Sequence, residues 1–168
     1  MSIERSLEIL KEALLLEKRG KSFYSRVAEH TQHNSVREFF SLMAEEEQGH
    51  IEILHGQYKA LKDSGKFSAN SFSTDSDPLK TASEVIDSEI ARLISGADYE
   101  SAAISAAISM EEKAIKVYSE RAESASDDEE RTLYRWLADW ERNHLHRLLE
   151  IDRNVTEKIW LDNSFWPF

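Results

Sequence analysis

Residues 37–50 read REFFSLMAEEEQGH, and residues 131–144 read RTLYRWLADWERNH. The two stretches lie 94 residues apart, and each ends in a Glu-x-x-His: Glu47 with His50, and Glu141 with His144. Thirty residues before each pair stands another glutamate in a matching context. LLLEKRGKSFYSRVAE, residues 14–29, carries Glu17, and ISMEEKAIKVYSERAE, residues 108–123, carries Glu111. The same offset of 94 relates Tyr24 to Tyr118 and Ala28 to Ala122. The chain is thus two copies of one unit, each supplying one glutamate and one Glu-x-x-His. Four carboxylates and two imidazoles form a set that can hold two metal ions between four helices.

The residues around this set follow helical periodicity. Apolar side chains recur at steps of three and four, which marks one face of a helix. The first seam is Ile3, Leu7, Leu10, Leu14, Glu17, Gly20, Tyr24 and Val27; the second is Phe40, Met43, Glu47, His50, Leu54 and Leu61. In the second half the seams are Ser101, Ile104, Ile108, Glu111, Ala114, Tyr118 and Ala122, then Tyr134, Leu137, Glu141, His144, Leu148, Ile151 and Val155. Four helices are expected, at about 2–30, 36–62, 98–124 and 127–158. Ser35 with Glu38 and Ser126 with Glu129 read as capping boxes for the second and fourth helices. The crossover, residues 63–97, opens as a Ser- and Asp-rich loop from Asp63 to Pro78. A third box, Thr81 with Glu84, starts a short extra helix that ends near Ile94. The expected fold is all-α, one domain over residues 1–168: two helical hairpins joined by a long crossover, a four-helix bundle of ferritin-like connectivity.

Spacing alone is a weak sign of a metal site. With 22 glutamates and six histidines in 168 residues, about one Glu-x-x-His is expected by chance. Three occur, the third being Glu52 with His55. Adding 94 to that pair gives His146 and Leu149, and it lies off the seam of its helix. Glu17, Glu47, His50, Glu111, Glu141 and His144 pass both tests. All six stand where the pattern demands an apolar side chain. A buried carboxylate without a partner costs several kcal/mol, so four converging ones must take up protons or cations. Two divalent ions neutralise four carboxylates, and a carboxylate–imidazole set suits iron or manganese. Tyr24 and Tyr118 lie two turns beyond Glu17 and Glu111, where a hydroxyl can donate to a ligand carboxylate. Gly20 and Ala114, one turn beyond the same glutamates, either leave room beside the metals or let helices pack closely. Glu45, Glu46 and Glu112 fall off the seam and read as surface groups, as do His30, His33, His55 and His146.

Composition narrows the function further. A net charge of −11 disfavours nucleic acid as a partner. No cysteine is present, which excludes thiolate catalysis, iron–sulfur ligation and Cys-type zinc sites. No apolar run approaches a membrane span, and MSIERSLEIL lacks the features of a signal peptide, so a cytoplasmic protein is expected.

The E…E-x-x-H…E…E-x-x-H order, over roughly residues 5–155, resembles the ferritin-like superfamily and within it the rubrerythrin branch. The resemblance implies Glu17 and Glu111 as terminal ligands, Glu47 and Glu141 as bridges, and one metal each for His50 and His144. It implies two iron ions, with manganese or a mixed pair as the alternative, and a reaction with hydrogen peroxide or dioxygen. Two departures stand out. Typical members carry a rubredoxin domain with Cys-x-x-Cys motifs; here a separate electron donor is expected. The additional family glutamate one turn beyond the third ligand is Ala114 here. The remaining symmetric set is closer to that of bacterioferritins, which puts ferroxidase beside peroxidase chemistry, with metal binding or storage without turnover as the alternative role. A homodimer is implied by analogy, with Trp160, Phe165, Trp166 and Phe168 available to cover a subunit contact or the bundle itself.

Overall fold

The computed structural model describes residues 2–69, 89–90, 92–94 and 99–162, the last two and residue 159 by backbone alone. Four helices account for nearly all of them: α1 Ile3–His30, α2 Asn34–Ser64, α3 Tyr99–Ser124 and α4 Asp128–Asp162. No strand occurs among the described residues. Short turns at 31–33 and 125–127 fold α1 back on α2 and α3 back on α4, and α1 meets α3 across the bundle. The helices follow the sequence expectation to within a few residues at each end, and the fold is a ferritin-like four-helix bundle.

The repeat extends into the turns. Arg37 Nη2 donates to the Thr31 carbonyl at 2.9 Å, and Arg131 Nη2 donates to the Ala125 carbonyl at 2.8 Å. Both pairs are related by the offset of 94. In each turn the guanidinium satisfies a carbonyl that the ended helix leaves without an N–H partner.

Two of the expected helix starts shift. α2 begins at Asn34, with His33 as its N-cap and no side-chain cap bond, so Ser35 lies inside the helix. At the start of α4, Asp127 Oδ1 accepts from the Glu130 N–H at 2.9 Å, so the cap sits one residue beyond Ser126. Aspartate outcompetes the neighbouring serine because its full charge also suits the positive helix N-terminus. α2 ends at Gly65, whose φ of 70° is the left-handed C-cap conformation that glycine adopts without penalty. Most of the short extra helix expected from Thr81 lies outside the described residues. Near its expected end, residues 89–90 and 92–94 are described, and Ile90 and Ile94 are buried.

The apolar core forms two masses. One contains Tyr24, Phe39, Phe40, Met43, Ile90, Ile94, Ile104, Leu148 and Ile151. The other contains Leu10, Leu54, Leu61, Tyr118, Leu133, Tyr134 and Leu137. Each fully buried large side chain contributes about 1.5–3 kcal/mol relative to exposure. Along every helix the six candidate residues fall between these masses. The polar layer is therefore held from both ends by ordinary hydrophobic packing.

The seams of α2 and α4 are buried as the periodicity predicts. Those of α1 and α3 are rotated slightly. Ser6 and Ala13 are buried whereas Ile3 is 44% exposed and Leu14 half-buried; Ala103 and Ala107 are buried whereas Ser101 and Ile108 are half-buried. A line drawn through the largest apolar residues misses a face on which small residues let helices approach closely. Beside the turn between α3 and α4, Arg121 and Glu130 form a buried ion pair, with the Arg121 guanidinium over the Tyr134 ring.

Candidate metal centre

Each of the four helices brings ligand-type side chains to one level of the bundle. α1 contributes Glu17, α2 Glu47 and His50, α3 Glu111, and α4 Glu141 and His144; every one is buried. The i, i+3 spacing puts both groups of each Glu-x-x-His on one helix face. Oxygen and nitrogen atoms of Glu17, Glu47, His50 and Glu141 all lie within 4.8 Å of one another, and so do those of Glu47, Glu111, Glu141 and His144. Glu47 and Glu141 belong to both groups. The geometry thus has two half-sites, each with one private glutamate and one histidine, sharing two central carboxylates.

His50 Nδ1 faces the first group, 3.1 Å from Glu17 Oε2 and 3.3 Å from Glu141 Oε1. His144 Nδ1 faces the second, 3.1 Å from Glu141 Oε2 and 3.6 Å from Glu111 Oε1. The tyrosines cross over. Tyr24 of α1 donates to Glu111 of α3, and Tyr118 of α3 donates to Glu17 of α1. Each half of the repeat therefore steadies the private carboxylate of the other half.

The electrostatics show how much charge is gathered here. Burial, then the negative charges of Glu141 and Glu17, pushes the Glu47 carboxyl well above the usual range. Burial, then the charge of Glu141, raises Glu111 to about 8. Glu141 goes the other way: burial opposes its ionisation, but hydrogen bonds from His144 and His50 outweigh it and hold the carboxyl low. Burial also works against both imidazolium forms. The carboxylates of Glu141, Glu17 and Glu47 around His50, and of Glu111, Glu141 and Glu46 around His144, outweigh it and raise both histidines well above their ordinary value. Burial and the adjacent carboxylates keep Tyr24 and Tyr118 protonated, as donors must be.

One residue expected at the surface belongs to the site. Glu46 is buried, and its Oε2 lies 2.6 Å from His144 Nε2. Two signals mark it in retrospect. The step from Met43 through Glu46 to His50 is as helical as the step through Glu47, and adding 94 to Glu46 gives Trp140, an interior residue type. Glu45 and Glu112 are exposed as expected; His30, His55 and His146 are exposed and His33 is half-buried.

A cavity of about 350 Å³ reaches the centre between α1 and α3. It is lined by Phe23 and Met110, by Arg19 and Lys113, and by the glutamates Glu17, Glu47, Glu111 and Glu141. Gly20 and Ala114 also line it, so small residues here leave space at the centre. A Cβ added at Gly20 would stand 3.2 Å from Glu47 Cδ.

Comparison with known proteins agrees with the geometry. Neither curated proteins nor solved structures gave a significant match. The family model for rubrerythrin matches residues 8–151, a span that contains all six residues, both tyrosines and Glu46. On that match and this bundle, the chain belongs to the rubrerythrin family of ferritin-like diiron carboxylate proteins.

Proposed function

We propose that the chain is a diiron oxidoreductase that reacts with hydrogen peroxide or dioxygen. The observation that carries the reading is the pair of half-sites sharing Glu47 and Glu141. The donor set fits two metal ions. Four carboxylates and two imidazoles packed between apolar masses are costly without cations, and burial with mutual repulsion pushes the Glu47 and Glu111 carboxyls up. Glu17, His50 and the shared carboxylates would hold one ion; Glu111, His144 and the shared carboxylates would hold the other. Carboxylate and imidazole donors favour iron or manganese. A ferrous pair held there would supply the two electrons that, with two protons, reduce one hydrogen peroxide to two waters.

The chain's own residues do the rest. Tyr24 and Tyr118 fix the orientation of Glu111 and Glu17. The cavity beside Gly20 and Ala114 admits a small oxidant, and Leu10, Leu54, Phe40 and Met43 exclude water from the two ends of the layer. The 168 residues hold no cysteine, so electrons return from a donor outside them.

Anaerobic loading with ferrous iron, followed by peroxide addition, tests the proposal. Two irons per chain with rapid peroxide consumption are expected, and Glu141→Ala loses both. A Glu141→Ala protein with full iron content and full turnover contradicts it. Iron uptake far above two per chain with slow peroxide consumption would point to storage instead.

A further inference from the structure

The two halves of the centre differ in what stands behind their histidines. His144 Nε2 meets the carboxylate of Glu46 at 2.6 Å. The offset of 94 maps Glu46 onto Trp140, and that position packs against the other histidine. The rings of Trp140 and Trp136 stand edge-on to His50, with centroids 5.7 Å and 5.5 Å away, and the two indoles lie 5.3 Å apart. His50 Nε2 is buried with no hydrogen-bond partner among the described residues. One imidazole is held from behind by a carboxylate, and its twin by two indole rings.

A carboxylate behind a ligating imidazole accepts its outer N–H, fixes the tautomer with the inner nitrogen bare, and increases that nitrogen's donor strength. Indole edges restrain the ring sterically and do none of this for the proton. Resting on the dimetal reading above, we infer that the two half-sites are inequivalent. The half-site of Glu111 and His144 binds its ion more tightly and fills first; that of Glu17 and His50 is the weaker one. Glu46 is the positioning residue responsible, acting through His144.

Cobalt(II) binding to single-histidine variants separates the half-sites, because each variant leaves one of them with both shared carboxylates. Affinity is read by calorimetry and the bound ion by its visible absorption. His50→Ala, which keeps the Glu46-backed half, binds its one cobalt about 10–100-fold more tightly than His144→Ala, the usual effect of such an outer partner. Adding Glu46→Ala removes that advantage in the His50→Ala background and changes nothing in the His144→Ala background. A general structural role for Glu46 would weaken both alike. Glu46→Gln, which keeps the shape and removes the charge, is read in parallel and moves the same way, so poor folding of the alanine variant leaves the inference exposed to test. Equal affinities in the two single-histidine variants, or equal weakening by the Glu46 substitutions in both, overturn the inference alone. A wild-type chain that takes up no cobalt overturns it together with the dimetal reading.

Discussion

Without metal, the protein should become less stable as pH rises from mildly acid to mildly alkaline. Glu111 shows why. Its carboxyl is raised from 4.5 to about 8 by burial, then by Glu141, while the unfolded chain returns it to the ordinary value. A raised folded-state value stabilises the fold fully below the unfolded value and loses that contribution as pH climbs through the folded one. The window therefore runs from about pH 4.5 to pH 8. At 1.36 kcal/mol per unit, the loss across it is about 5 kcal/mol. Domains are typically stable by only about 5–15 kcal/mol, and at this size each kcal/mol moves Tm by about 2–4 °C, so Tm should fall by about 10–20 °C. Glu47, His50 and His144 are also raised and act in the same direction. Thermal and urea unfolding of chelator-treated protein across this window measures the slope. Glu111→Gln removes its own share and flattens the profile. Metal-loaded wild type should show the reverse trend, because metal binding displaces these protons and strengthens as pH rises. A metal-free profile that is flat or rises, or a Glu111→Gln profile as steep as wild type, refutes the reasoning.

Substitutions near the centre give further tests. Gly20→Ala gains about 1 kcal/mol of helix propensity but forces its new Cβ against Glu47, 3.2 Å away. The metal-free protein should melt no lower than wild type while its metal affinity, measured by competition with a chelator, falls. Ala114→Leu fills the cavity between α1 and α3; two metals per chain should remain, and stopped-flow measurement should show slower peroxide consumption. Tyr24→Phe and Tyr118→Phe each strip a donor from a private carboxylate. Each should weaken metal binding about 10–100-fold, and a titration in which neither differs from wild type would remove the tyrosines from the account.

The bundle was legible in the sequence because its two signals reinforce each other. The stripes of α2 and α4 are continuous, and the offset of 94 carries ligands, tyrosines and turn arginines together. The six ligand-type residues were legible because charged groups on an apolar seam demand an explanation. Three things were not. Glu46 sits at the edge of the stripe, where a glutamate usually turns to water; only the partner histidine across the bundle draws it inward. The crossed pairing of the tyrosines depends on which helices face each other, which spacing on one helix does not encode. Helix starts are decided by local competition among neighbouring polar residues, as Asp127 against Ser126 shows.

The most direct test of the central claim is anomalous diffraction from crystals loaded with ferrous iron or manganese(II). The account predicts two peaks per chain, about 3.5–4 Å apart as in other two-metal sites. One lies among Glu17, Glu47, His50 and Glu141, the other among Glu47, Glu111, Glu141 and His144. A single peak, or metal bound away from these residues in fully loaded crystals, would contradict it.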